Sequence, residues 1–127
     1  MGKKALFLDN DEVFLFLIEE ICKRNKIEIE LNFADNPIAA VKYLEKCKSG
    51  EAFPEIIFTD LGLPKFSGKQ LMKFYHKHYY PEYPSTKVYI VSSSENKKDK
   101  ALAKVFPFVC GYIPKLLILE KLGQLMS

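Results

Sequence analysis

Apolar runs of strand length alternate with helical patterns five times along the chain, and this alternation constrains the fold more than any other feature. Four runs read as buried strands: ALFL (5–8), EIIFT (55–59), KVYIV (87–91) and FVCGYI (108–113). A fifth, IEIELNF (27–33), sets Ile27, Ile29, Leu31 and Phe33 against Glu28, Glu30 and Asn32. A period of two means that one face meets water, and outward charges suit a strand at a sheet edge. Between the strands, Val13, Leu17 and Ile21 recur at i, i+4 and i+8 with Phe14 and Ile18 beside them. Asn36 is a good N-cap for a second helix, Pro37 suits its first position and Gly50 its end. Leu71, Met72, Phe74 and Tyr75 mark a third helix, KKDKALAKVF a weakly apolar fourth, and LLILEKLGQLM a fifth.

Strand–helix alternation of this kind predicts an α/β fold, a five-stranded parallel sheet with helices on both faces. With the alternating second strand at an edge, the order 2-1-3-4-5 follows, the order of the flavodoxin-like class. The 127 residues suit a single domain, 1–127. Hydrophobic residues are 48% and charged residues 28%, a balance that supports a packed core and excludes a disordered chain. No apolar stretch is long enough to span a bilayer, so no membrane association is expected. Cys22, Cys47 and Cys110 are widely spaced and odd in number, which predicts buried reduced thiols in a cytoplasmic protein. The net charge of +3 is mild and the lysines are scattered, so direct nucleic-acid binding is not expected.

In such sheets ligands sit beyond the carboxyl ends of the strands, near the switch point between strands one and three. Strand one ends in Asp9-Asn10-Asp11, strand three in Asp60, strand four in Ser92-Ser93-Ser94, and strand five near Lys115. Taken singly each has a bland role. Asp11 or Asn10 caps a helix, Asp60 forms a turn, Ser92 satisfies its own backbone, and Lys115 is solvated. Taken together, two acidic groups, a hydroxyl and a lysine meet on one rim. Oxygen donors at a shared point suit Mg²⁺, a lysine neutralises an incoming phosphoryl group, and an ionised Asp is a nucleophile able to form an acyl phosphate.

These segments resemble a response-regulator receiver domain of two-component signalling, end to end. The matching pieces are FLDND, IIFTDLGLPKFSG, VYIVSSS and VCGYIPK, with Asp60, Pro64 and Gly68 at the family's spacing. The resemblance implies that Asp60 accepts a phosphoryl group from the phosphohistidine of a histidine kinase or phosphotransfer protein. It implies that Asp9, the position of Asn10, Asp60 and the carbonyl of Gly62 serve Mg²⁺. Ser92 takes the switch position, Tyr112 the aromatic position that moves with it, and Lys115 the role of the family's lysine. Two departures stand out: Asn10 replaces a second Asp, and Lys115 is followed by Leu116 where the family has a proline.

The resemblance therefore implies a stand-alone phosphorylation switch that catalyses its own phosphoryl transfer and acts on no external metabolite. Its output would run through an unidentified partner docking on the helix 4–strand 5–helix 5 face, since the chain ends at Ser127. The alternative is a pseudo-receiver, a protein-binding module independent of phosphate, which Asn10 and the missing Lys-Pro favour. A flavin-binding reading is disfavoured because the loop after strand one lacks a Gly-, Ser- or Thr-rich phosphate cradle. His76 and His78 lie about 200° apart on a helix and cannot share one metal. Tyr75, Tyr79, Tyr80 and Tyr83 are expected to pack around the third helix.

Overall fold

A computed structural model describes residues 3–50, 52–62, 68–93 and 97–126. Pro64 and Ser94 lie outside the described residues. The elements run β1 (Lys3–Leu8), α1 (Glu12–Arg24), β2 (Ile29–Ala34), α2 (Pro37–Gly50), β3 (Ile56–Asp60), α3 (Gly68–His78), β4 (Lys87–Ser92), α4 (Lys97–Val105), β5 (Val109–Pro114) and α5 (Lys115–Met126). All strand pairs are parallel, in the order β2-β1-β3-β4-β5. This is the order the alternating second strand predicts.

The alternation of side chains along β1 divides the core into two layers. Leu6 and Leu8 join Ile57 against Ala40 and Leu44 of α2 and Leu71, Met72 and Tyr75 of α3. Ala5 and Phe7 join Phe58 against Phe14 and Ile18 of α1 and Ile118 and Leu122 of α5. Phe7 and Phe58 stack across adjacent strands with ring centroids 4.6 Å apart. A Phe→Ala change at such a site typically costs about 3–5 kcal/mol.

The helix starts follow local chemistry. Asp11 is the N-cap of α1, its Oδ1 accepting from Phe14 N at 3.1 Å. Asn36 caps α2 in the same way, its Oδ1 accepting from Ala39 N at 2.9 Å. Asp11→Ala is expected to lower stability by about 1 kcal/mol, the usual worth of such a cap. Urea unfolding of parent and variant measures it, and an unchanged midpoint would show that the cap contributes nothing.

Three expectations are corrected. In α1 the buried stripe is Phe14, Ile18 and Cys22, whereas Val13 and Leu17 are exposed and Ile21 is half-buried. Cys22 and Cys47 are buried, but Cys110 is exposed. The reason is an irregularity on the sheet's edge: Val88 pairs with Val109 and Tyr89 with Gly111, so Cys110 is an extra residue bulged outward. In β2, Ile29 and Leu31 are half-buried, but Phe33 is exposed, its ring lying edge-on to Phe7.

The candidate acceptor site

Parallel register decides what meets at the rim. Leu8 pairs with Ala34 on one side and Thr59 on the other, so Asp9 comes level with Asp60 on the neighbouring strand. Asp9 N donates to Ala34 O at 2.9 Å, which continues the ladder one residue past β1. Ser92 ends β4 opposite Pro114, and Lys115 follows at the start of α5. Pro114 thus sits at the end of an edge strand. No peptide bond among the described residues is cis, so Lys115–Leu116 is trans.

Lys115 holds the carboxylates together. Its Nζ lies 3.0 Å from Asp9 Oδ1 and 2.9 Å from Asp9 Oδ2. Asp60 Oδ2 is 3.3 Å away and Asp11 Oδ2 3.9 Å. Asp9 is 1% exposed, and the Lys115 side chain 10%. The pair is therefore a buried one, where each charge depends on the other. Burial pushes the Asp9 carboxyl above its ordinary value, against the pull of Lys115 and of the Asp11 N–H, which donates to Oδ1 at 2.9 Å. Lys115 is held above its ordinary value by Asp9 and Asp60, which outweigh its own burial.

Asp60 is arranged differently. Its side chain is 18% exposed, and its Oδ1 accepts from Gly62 N at 2.8 Å. Gly68 closes the same loop from the other side: a Cβ there would overlap Leu61 Cβ and come 3.1 Å from Leu61 O. Only glycine allows α3 to begin so close to the strand end.

The remaining positions fall as follows. Ser92 is buried at the end of β4. Tyr112 is half-buried against the α2–α3 core layer, with Lys100 Nζ 5.6 Å from its ring centroid. Asn10 is exposed. His76 and His78 are exposed on α3, while Tyr75 and Tyr79 are buried. Two further carboxylates come near the site: Asp11, the last of the acidic triplet, and Asp99, which the sequence does not single out. Asp11 approaches Lys115 while capping α1. Asp99, in the first turn of α4, has its carboxyl raised by burial and by the charge of Asp60. Its setting among lysines in KKDK reads in the sequence as a solvated charge.

The donor chemistry fits Mg²⁺, though no group of three or more His, Cys, Asp or Glu among the described residues forms a ready-made ligand set. Mg²⁺ takes one or two carboxylates and keeps several waters. Asp9 and Asp60 supply two. Asp9 Oδ2 is buried and meets the Lys115 ammonium at 2.9 Å with no further hydrogen-bond donor among the described residues, so it keeps a lone pair for a hard cation.

No family model matches the chain, and no curated protein matches it. Solved structures do. A two-component response regulator from Cytophaga hutchinsonii aligns with a TM-score of 0.79 at 24% identity, covering 97% of each chain. The fold is that of a response-regulator receiver domain. The receiver fold recurs in the phosphorylated cyanobacterial phytochrome response regulator RcpA, with a TM-score of 0.79, 23% identity, and 99% of this chain and 89% of that one covered. It recurs again in the Mn²⁺-bound response regulator Rcp1, at a TM-score of 0.76 and 23% identity, with 98% and 88% covered. Within this receiver fold, no helix among the described residues is long and apolar enough to cross a membrane.

Proposed function

We infer that the protein is a receiver module of two-component signalling, in which Asp60 takes a phosphoryl group from a phosphohistidine donor. The observation that carries this reading is Lys115, whose ammonium lies between a buried Asp9 and a more open Asp60 at the sheet's switch point. Asp60 Oδ2 would attack phosphorus, forming a P–O bond as the P–N bond of the donor breaks and the imidazole leaves. Lys115 would neutralise charge on the transferred group, and Ser92 would donate its hydroxyl to a phosphoryl oxygen. Asp9, Asp60 and the Gly62 carbonyl would hold Mg²⁺, with the Asn10 side-chain carbonyl as a weaker fourth contributor. The metal supplies a counter-charge to the phosphoryl oxygens. Val13 and Phe16, exposed on α1 next to its Asp11 cap, and Leu116, exposed at the start of α5, give the donor protein an apolar rim to rest on. Asp60 phosphorylation would then shift a pre-existing equilibrium through Ser92 and Tyr112. The module acts on no external metabolite in this reading, and its setting is the cytoplasm.

Incubation with acetyl phosphate and Mg²⁺ followed by intact-mass measurement tests the reading. One added phosphoryl group supports it. No adduct would favour a phosphate-independent binding module, the reading that exposed, uncharged Asn10 supports.

Asn10 also sets the expected metal affinity. Asp9 and Asp60 bring two formal charges, and an amide oxygen adds none. A charge–charge interaction at about 4 Å near a protein surface is on the order of 4 kcal/mol before dehydration is subtracted. Calorimetric titration should show Asn10→Asp binding Mg²⁺ more tightly than the parent by about tenfold or more, the part that survives screening. Equal affinities would mean that position 10 does not face the ion.

A further inference from the structure

Charge is divided unequally along the chain. Residues 1–60 hold eight basic and twelve acidic side chains, and residues 61–127 hold eleven basic and four acidic. Much of the excess lies on two helices. α3 carries Lys69, Lys73 and Lys77 and no carboxylate, and α4 carries Lys97, Lys98, Lys100 and Lys104 against Asp99 alone.

The three α3 lysines recur every fourth residue and are all exposed, opposite the buried Leu71, Met72 and Tyr75. They form a line about 12 Å long on one side of the helix. Among the described residues none of the three has a carboxylate partner. Glu82 is occupied by Lys48 at 3.4 Å, and Asp99 faces the charge of Asp60. α4 lies on the same side of the molecule: the His76 ring of α3 is 5.9 Å from that of Phe106, the residue after α4. Val105, at the end of α4, is 65% exposed and adds an apolar point beside Lys104.

We propose that the α3–α4 face docks an acidic helical segment of another protein, with carboxylates at four-residue spacing meeting Lys69, Lys73 and Lys77. Charge complementarity selects the occupant. A nucleic acid is the poorer fit, because the face holds no arginine, the side chain best shaped for phosphate: the chain's one arginine, Arg24, is on α1 in the other layer. A second copy is also poorer, because its acidic elements are partly self-paired, Glu19 with Lys23 and Glu30 with Lys4. The surface stands apart from the acceptor chemistry, so its test needs no phosphorylation.

The probe is a fluorescent alanine-rich peptide of about 20 residues, long enough for a stable helix, with glutamate at every fourth position. Its comparators are a peptide of equal composition with dispersed glutamates, and single- and double-stranded DNA of matched charge. The parent should bind the patterned peptide most tightly, and more weakly as salt rises. The triple variant Lys69→Glu, Lys73→Glu, Lys77→Glu should lose about tenfold or more, whereas Lys42→Glu with Lys46→Glu on α2 should stay within about twofold. All five positions are exposed, so circular dichroism should show folded variants. No binding to the parent, equal binding of the dispersed peptide, tighter binding of DNA, or a triple variant that binds like the parent each overturns the proposal.

Discussion

Asp60→Ala should take up no phosphoryl group from acetyl phosphate and Mg²⁺ under conditions that label the parent fully. The two carboxylates at the switch point differ in what their oxygens are free to do. Asp9 is almost wholly buried, and its Oδ1 accepts from both Lys115 and the Asp11 N–H. A bulky phosphorus centre cannot reach it without unpacking the strand end. Asp60 stands further into solvent, with Oδ1 fixed by Gly62 N and Oδ2 loosely held at 3.3 Å from Lys115. In the proposed reading Asp60 would therefore be oriented by one oxygen and reactive through the other. Asp60 belongs to neither apolar core layer, and Lys115 keeps Asp9 as its partner in the variant, so circular dichroism should show it folded and its loss of labelling should be chemical in origin. Intact-mass spectra of parent and variant decide the matter, and a labelled Asp60→Ala would falsify the assignment.

Lys115→Met should produce the largest loss of stability of any change at the rim. Methionine keeps the aliphatic stem but leaves Asp9 a buried carboxylate without its cation. Breaking a buried pair in this way costs about 3–5 kcal/mol. The pH dependence gives a second, independent reading. Asp9 already binds its proton more tightly in the folded protein than at its ordinary value of 3.8, because burial dominates. A group raised in this way contributes most below the unfolded value, and its contribution is lost as pH rises through the folded value. Without Lys115 the folded value rises further. The deficit of Lys115→Met relative to the parent should thus be greatest near neutral pH and narrow as pH falls toward 3.8. Urea unfolding at about pH 7 and about pH 5 measures this. A deficit equal at both pH values would mean that Asp9 is not the group left stranded.

Much of this was legible in the residues because strand ends and strand order are strongly patterned. The alternation of Ile29 and Leu31 with Glu30 marks β2 as an edge, and from that the order of the whole sheet follows. With the order known, Asp9, Asp60, Ser92 and Lys115 fall on one rim, and the described geometry brings the first, second and fourth within ion-pair reach. What could not be read has physical causes too. Residues 13–18 of α1 are apolar on every side, so periodicity cannot separate the buried Phe14 and Ile18 from the exposed Val13 and Phe16. Asp99 looks solvated among lysines, and only the tertiary approach of α4 brings it into the field of Asp60. The extra residue at Cys110 breaks the period of two, so Val109 and Tyr112 pack into the same layer despite an odd spacing.

That bulge also bears on how the molecule behaves among its copies at high concentration. A sheet edge with an even row of free amide and carbonyl groups is a template for indefinite strand addition. On β5 the row is interrupted twice, by the protruding Cys110 and by Pro114, which has no N–H to offer. On β2 the exposed Glu30 and the half-buried Asn32 place polar groups along the opposite border. Neither border presents a clean template, so a chain with 48% hydrophobic residues and a fully parallel sheet is guarded against growing into fibres.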